Sequence, residues 1–176
     1  MTALKKPLSV ILAFVLVFAL MSVAPIVAFA EDGEEIEFTK EEIALNKKVT
    51  DDGFEYVRTS DGSAAILVGY TGTESEIKIP SSINNLKVIE VADEAFLNNT
   101  VVVEVKMNSN VTKIGDRAFM NCTSLKSVGG LKSVTSFGES IFEGCTSLEE
   151  ISVPDTVVNI PARAFYGCTA LVDFEP

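Results

Sequence analysis

This chain predicts an α/β solenoid: a stack of 23-residue coils with short parallel strands and short helical turns, closed at its N-terminal end by a β-hairpin. Three observations carry that expectation. The stretch from Val111 to Val128 recurs in copies that begin at Val88, Val134 and Val157, each start 23 residues from the next. Phe96, Phe119, Phe142 and Phe165 therefore fall in register, as do Thr100, Thr123, Thr146 and Thr169, and then Val102, Leu125, Leu148 and Leu171. A fixed period of that length belongs to repeats that cannot bury their own apolar side and must stack on their neighbours. The third observation is alternation from Phe54 to Tyr70 around Asp61-Gly62, the short-range signal of a hairpin.

Residues 1–30 precede all of this and read as a secretory signal peptide. Lys5 and Lys6 are followed by an apolar run from Leu8 through Met21, and Ala28-Phe29-Ala30 supplies the small-x-small cleavage site. The rival reading is an uncleaved anchor, since the run is almost long enough to span a bilayer. The switch to Glu31-Asp32-Gly33-Glu34-Glu35 favours cleavage, and both readings imply export. Removing Lys5 and Lys6 takes the formal charge from -11 to -13. So acidic a chain argues against nucleic acid or anionic lipid as partner.

Residues 31–53 form an acidic linker. Two readings stand for it: one short helix, with Thr39 and Glu42 as a capping box and Phe38 and Ile43 at the spacing of a hydrophobic staple, or a disordered tail in which that match is chance. Residues 54–176 are the solenoid, of which 54–87 supply the hairpin cap and first strand and 88–176 four repeats, the last incomplete. The hairpin stands where a terminal coil needs a cover. The first strand, Glu76-Ile77-Lys78-Ile79-Pro80, returns as Val105-Lys106-Met107 and as Ile151-Ser152-Val153-Pro154. Ile77 to Val105 is 28 residues, so five residues are inserted around Ile83–Lys87, where Asn84 and Asn85 suit a surface turn.

Within a coil, Val111-Thr112-Lys113-Ile114 reads as one short strand and Leu125-Lys126-Ser127-Val128 opens a second on the opposite side. Between them a helical turn is expected, capped by Asp93 or Asp116 at its start. It would end at Asn98, Asn121, Gly144 and Gly167, residue types that tolerate a left-handed backbone. The Phe at its centre should point inward and stack on its copies.

These residues resemble the bacterial surface leucine-rich repeats of the treponemal, or BspA-like, subclass. The resemblance rests on V-T-x-I-G-x-x-A-F-x-x-C-T-S-L-x-x-I, clearest at Val111 to Val128, on the I-x-I-P strand at Ile77 to Pro80, and on the lead-in from Asp61 to Gly72. It implies a leucine-rich-repeat-like solenoid of parallel strands and a secreted or surface-attached, adhesin-like protein of the bacterial cell exterior, with no catalytic residues. The chain departs from the pattern at Asn99, where Cys is usual, at Ser140-Ile141 and at Pro161.

The available chemistry points the same way. With no His, Ser–His and Cys–His nucleophiles are excluded. Cys122, Cys145 and Cys168 lack the close spacing of a metal site. Stacked in register they read as buried free thiols, with a strained disulfide as the alternative. Asp51-Asp52-Gly53 reads as a turn rather than a calcium loop, and Glu149-Glu150 as a poor acid–base couple. No catalytic, cofactor-binding or metal-binding residue is expected, and no enzyme activity.

What remains is the outward row of the strand ladder: Glu104, Lys106, Lys126, Ser127, Glu149, Glu150, Ser152 and Asp173. This is the expected face for a protein or glycan ligand outside the cell. The second reading is the non-catalytic repeat portion of a larger exported enzyme or envelope assembly. Because the last strand is barely begun at Pro176, either a longer parent protein or weak end-to-end self-association through the residues from Pro161 onward is also expected.

Overall fold

The computed structural model describes residues 45–175, with side chains through Val172. The signal peptide and the helix or tail read around Thr39 and Glu42 lie outside the described residues.

Twelve strands follow in order among the described residues: β1 (Lys48–Val49), β2 (Phe54–Arg58), β3 (Ala64–Tyr70), β4 (Glu76–Lys78), β5 (Ser82–Ile83), β6 (Leu86–Val91), β7 (Glu104–Lys106), β8 (Lys113–Ile114), β9 (Ser127–Gly129), β10 (Ser136–Phe137), β11 (Glu150–Ser152) and β12 (Asp173–Glu175). They form two sheets on opposite sides of the coil. The first runs β1-β2-β3-β6-β8-β10, with β5 on the edge of β6; the second runs β12-β11-β9-β7-β4. From β3 onward neighbours along each path are parallel, one coil apart, with Val91, Ile114 and Phe137 aligned in the first sheet. Ile77, Val105, Val128, Ile151 and Phe174 align in the second. From β7 onward two or three residues per strand suffice, because the chain must turn after each apolar contact to close the coil.

The hairpin is β2 antiparallel to β3, and β3 then pairs in parallel with β6. Its loop is tied by Asp61, whose carboxylate accepts from the Ser63 N–H at 2.9 Å and from the Thr59 hydroxyl at 2.6 Å. Those donors favour the charged form, and the Asp61 pKa falls to about 2. The five-residue insertion becomes the β5–β6 hairpin, with Asn84 and Asn85 both left-handed at φ 49° and 66°.

The expected helical turns are not helices. Residues 93–98, 116–121, 139–144 and 162–167 are runs of tight turns. Leu97 N–H donates to the Glu94 carbonyl and Asn99 N–H to that of Phe96, each at 3.0 Å and three residues apart. The intervening donors leave the coil altogether: the N–H groups of Glu94, Phe96 and Asn98 donate to the carbonyls of Asp116, Ala118 and Met120, at 2.7–2.9 Å. A helix would keep those donors for itself.

The left-handed residue expected at the end of each turn is present at Asn98, Asn121, Gly144 and Gly167. A second one breaks the helix at its start, at Glu94, Arg117, Ser140 and Arg163, with φ of 54–59°. Asp93 and Asp116 are accordingly not helix caps. Each accepts a backbone N–H from the next coil, Asp93 from Asp116 and Asp116 from Glu139, both at 2.8 Å.

The core is a column of rings flanked by aliphatic rows. Phe96, Phe119, Phe142 and Phe165 are stacked with centroids 4.8, 5.5 and 5.6 Å apart. Tyr70 and Phe54 extend the column into the hairpin, 6.1 Å below Phe96 and then 5.1 Å further. Beside the column the thiols are free, and each donates to the Phe carbonyl 26 residues earlier: Cys122 to Phe96, Cys145 to Phe119 and Cys168 to Phe142, at 3.0–3.1 Å. Asn99, in the Cys position of the first turn, instead accepts the N–H groups of Val101 and Val102 at 2.9 Å.

Candidate binding surface

The second sheet places its apolar residues inward at one position per strand, so the residues on either side of that position face solvent. Two outward rows result. One aligns Glu76, Glu104, Ser127 and Glu150; the other aligns Lys78, Lys106 and Gly129, with Ser152 further along, and the backbones of Asp173 and Glu175 continue the register beside Glu150 and Ser152. Glu104, Lys106, Glu150 and Ser152 are exposed and Ser127 is half-buried. Of the eight residues expected on this face, Glu104, Lys106, Ser127, Glu150, Ser152 and Asp173 lie in strands of this sheet. Lys126 and Glu149 sit one residue before β9 and β11 and pair with each other at 3.2 Å. Glu149 is thus engaged across the coils, and Glu150 is in the ladder. Asp173 is placed by its backbone.

The face holds two residues missed in the sequence, Glu76 and Lys78 on β4. Their signal was the I-x-I-P strand itself, which repeats the charge pattern of Glu104-Val105-Lys106 one coil earlier; the 28-residue spacing hid the alignment. Like charges stand side by side here, Glu76 beside Glu104 and Lys78 beside Lys106. Such neighbours repel and gain from an external counter-charge. Gly129 continues the lysine row without a side chain, and a β-carbon built there meets nothing within 4 Å. The row is therefore stepped, with lysine at one end and bare strand beyond it.

Elsewhere three ion pairs join neighbouring coils. Lys113 bonds Glu90 at 3.0 Å on the first sheet, Arg117 bonds Glu94 at 2.9 Å on the turn side, and Arg163 holds Glu143 through two nitrogens while lying over the Tyr166 ring at 4.3 Å. The Arg163 bonds pull the Glu143 pKa down to about 2. Among the described residues no polar or charged side chain is buried, and no group of three His, Cys, Asp or Glu is placed to hold a metal ion. The surface offers charge rows on a fixed backbone.

Residues 70–175, more than half of the chain, match the BspA type leucine rich repeat region in six copies. No curated protein matches the chain. Among solved structures it is similar to the leucine rich repeat protein of T. pallidum, 26% identical over 72% of this chain and 71% of that one, with a TM-score of 0.58. It is similar also to a leucine rich cell surface protein from Faecalibacterium prausnitzii, 28% identical with a TM-score of 0.59. That match covers 71% of this chain but only 35% of the other. A leucine-rich repeat protein from Bacteroides capillosus, 23% identical, shares the fold at a TM-score of 0.64 over 74% of this chain and 97% of that one. The strand ladder, the stacked Phe column and the extent of the matching repeats together make this chain a member of the BspA-type leucine-rich repeat family.

Proposed function

We propose that the chain is an exported, cell-surface binding protein, adhesin-like and without catalysis, that engages a protein or glycan partner through the outward face of the second sheet. The observation that carries this reading is the pair of in-register rows on one face, with exposed carboxylates at Glu76, Glu104 and Glu150 in one and exposed lysines at Lys78 and Lys106 in the other. A rigid stack holds them at strand spacing, so they need no ordering on contact. The N-terminal segment expected to direct export and the surface description of the F. prausnitzii relative support the location. The hairpin β2–β3 acts as the N-terminal cover of the stack.

The test is capture from host-cell or neighbouring-cell surface extract by the chain from Glu31 onward. Glu104→Lys combined with Glu150→Lys should reduce capture at least tenfold, whereas Thr112→Lys, on the other sheet, should not. Equal capture by the two variants would overturn the assignment of the face. A second reading, the non-catalytic repeat portion of a larger exported assembly, is favoured by the 35% of the F. prausnitzii protein that this chain spans.

A further inference from the structure

The two sheets do not begin at the same level. β3 and β4 belong to one coil and β6 and β7 to the next, so β4 is the first strand of the second sheet. The first sheet continues below that level through β2 and β1. The stack therefore has a step, and the step is a cleft of about 600 Å³ between residues 49–54, residues 70–74 and β4. β4 offers three residues, Glu76–Lys78, to a strand laid along this step.

The edge that faces it is unpaired. Glu104 N–H donates to the Ser75 carbonyl at 3.0 Å and Ile79 N–H donates to that of Lys106 at 2.9 Å. Ser75, Ile77 and Ile79 therefore turn their backbone groups toward β7, and alternation turns those of Glu76 and Lys78 into the cleft. Among the described residues nothing bonds them there. Phe54 and Tyr70 close the cleft on the core side, and Val49, 56% exposed, stands at its rim.

A twofold-related second copy of this chain does not fit the edge. Joining β4 to its twofold mate would leave one spacing between the second sheets, ~4.8 Å, where the β1 and β2 strands of both copies need five, ~24 Å. Charge selects among single strands, since Asp51, Asp52, Glu74 and Glu76 surround the cleft against one lysine, Lys78.

We propose that this step is a docking site for an extended peptide segment of a partner protein, in which Lys or Arg alternates with aliphatic residues and which adds to β4 as a further strand. Backbone bonds to Glu76 and Lys78 hold it, its aliphatic side chains lie toward Val49 and Phe54, and its basic side chains meet the rim carboxylates.

The test is amide hydrogen exchange, resolved by NMR, on the chain from Glu31 to Pro176 with two synthetic peptides, acetyl-Lys-Val-Lys-Val-Lys-amide and acetyl-Glu-Val-Glu-Val-Glu-amide. The basic peptide should slow exchange of the Glu76 and Lys78 amides at least tenfold, and the acidic one should leave them unchanged. Asp52→Lys with Glu74→Lys should weaken the basic peptide at least tenfold. Glu104→Lys with Glu150→Lys should not, which separates this site from the face proposed above. Absence of slowing at millimolar peptide, or slowing confined to other strands, would overturn the proposal. So would slow exchange of both amides in the chain alone: if independent of concentration the chain covers its own edge, and if concentration-dependent a second copy does.

Discussion

Asp93 accepts, through Oδ1, the backbone N–H of Asp116 at 2.8 Å, one full repeat further along the chain. Asp116 does the same for Glu139. The carboxylate can reach only because the residue before each receiving N–H is glycine. A β-carbon on Gly115 would lie 2.1 Å from that Oδ1 and 2.5 Å from the Asp93 nitrogen. Gly115→Ala should therefore destabilise the fold by about 1–3 kcal/mol through overpacking against backbone. Gly129→Ala, where the added carbon meets nothing, should stay within about 0.5 kcal/mol of the parent. Paired denaturant melts check the contrast, and equal effects would mean that the coils are not in this register.

The ring column makes a larger demand. Phe119 is 1% exposed and lies between Phe96 and Phe142. Phe119→Ala should cost about 3–5 kcal/mol, the lost transfer energy plus the cavity between two rings that the stack prevents from collapsing. A thermal melt showing a loss below about 1 kcal/mol would place that ring outside the core.

The thiols should resist modification while the chain is folded. The neighbouring Cys122 sulfur, followed by burial, pushes Cys145 far above the ordinary thiol range, and burial pushes Cys168 up to about 11. Since the thiolate is the reactive form, titration at pH 8 should find Cys145 silent and Cys168, half-buried at the last described turn, slow, while Cys122, 1% exposed, is kept from the reagent by its packing. In denaturant all three should react. A single reactive thiol after unfolding would reveal a disulfide.

Acid should weaken the fold over a defined window. Asp61 falls from 3.8, and Glu143 from 4.5, to about 2 in the folded chain. A carboxylate held lower in the folded state stabilises it fully above its unfolded pKa, and that contribution disappears as pH falls through the folded pKa. Stability should therefore decline between about pH 4.5 and pH 2. Glu143→Gln should flatten part of that decline, and added salt should do so for the exposed Arg163 pair. Melting temperatures that coincide for parent and variant at every pH would show that the pair does not couple to folding.

Repetition makes much of this fold readable in the sequence. The positions that repeat, the Phe column, the Cys beside it and the Asn or Gly at the end of each turn, identify themselves because one environment recurs. What did not repeat was harder to see. Tyr70 and Phe54 join the column from a hairpin whose alternation has a different period, and Glu76 and Lys78 were displaced by the insertion at Ile83–Lys87. The turn is ambiguous in the sequence for a physical reason: Asp ahead of a turn suits both a cap for its own helix and an acceptor for the next coil. Nothing in Glu94, Arg117 or Arg163 announces a left-handed backbone. On the outward face of the second sheet, register could be foreseen residue by residue, whereas the Lys126–Glu149 pairing depends on two side chains one coil apart.

The same turns have a mechanical consequence. On all three sides of the coil the hydrogen bonds run from one coil to the next, through β8 and β10 on one side, β9 and β11 on another, and the donors of Glu94, Phe96 and Asn98 on the third. A pull along the stack loads those bonds a few at a time, so the coils should detach singly rather than shear together. Each 23-residue coil released would lengthen the tether by about 80 Å, at roughly 3.5 Å per extended residue. A chain anchored at one end and gripped at the other would then yield in even steps, limiting the tension passed to whatever holds it.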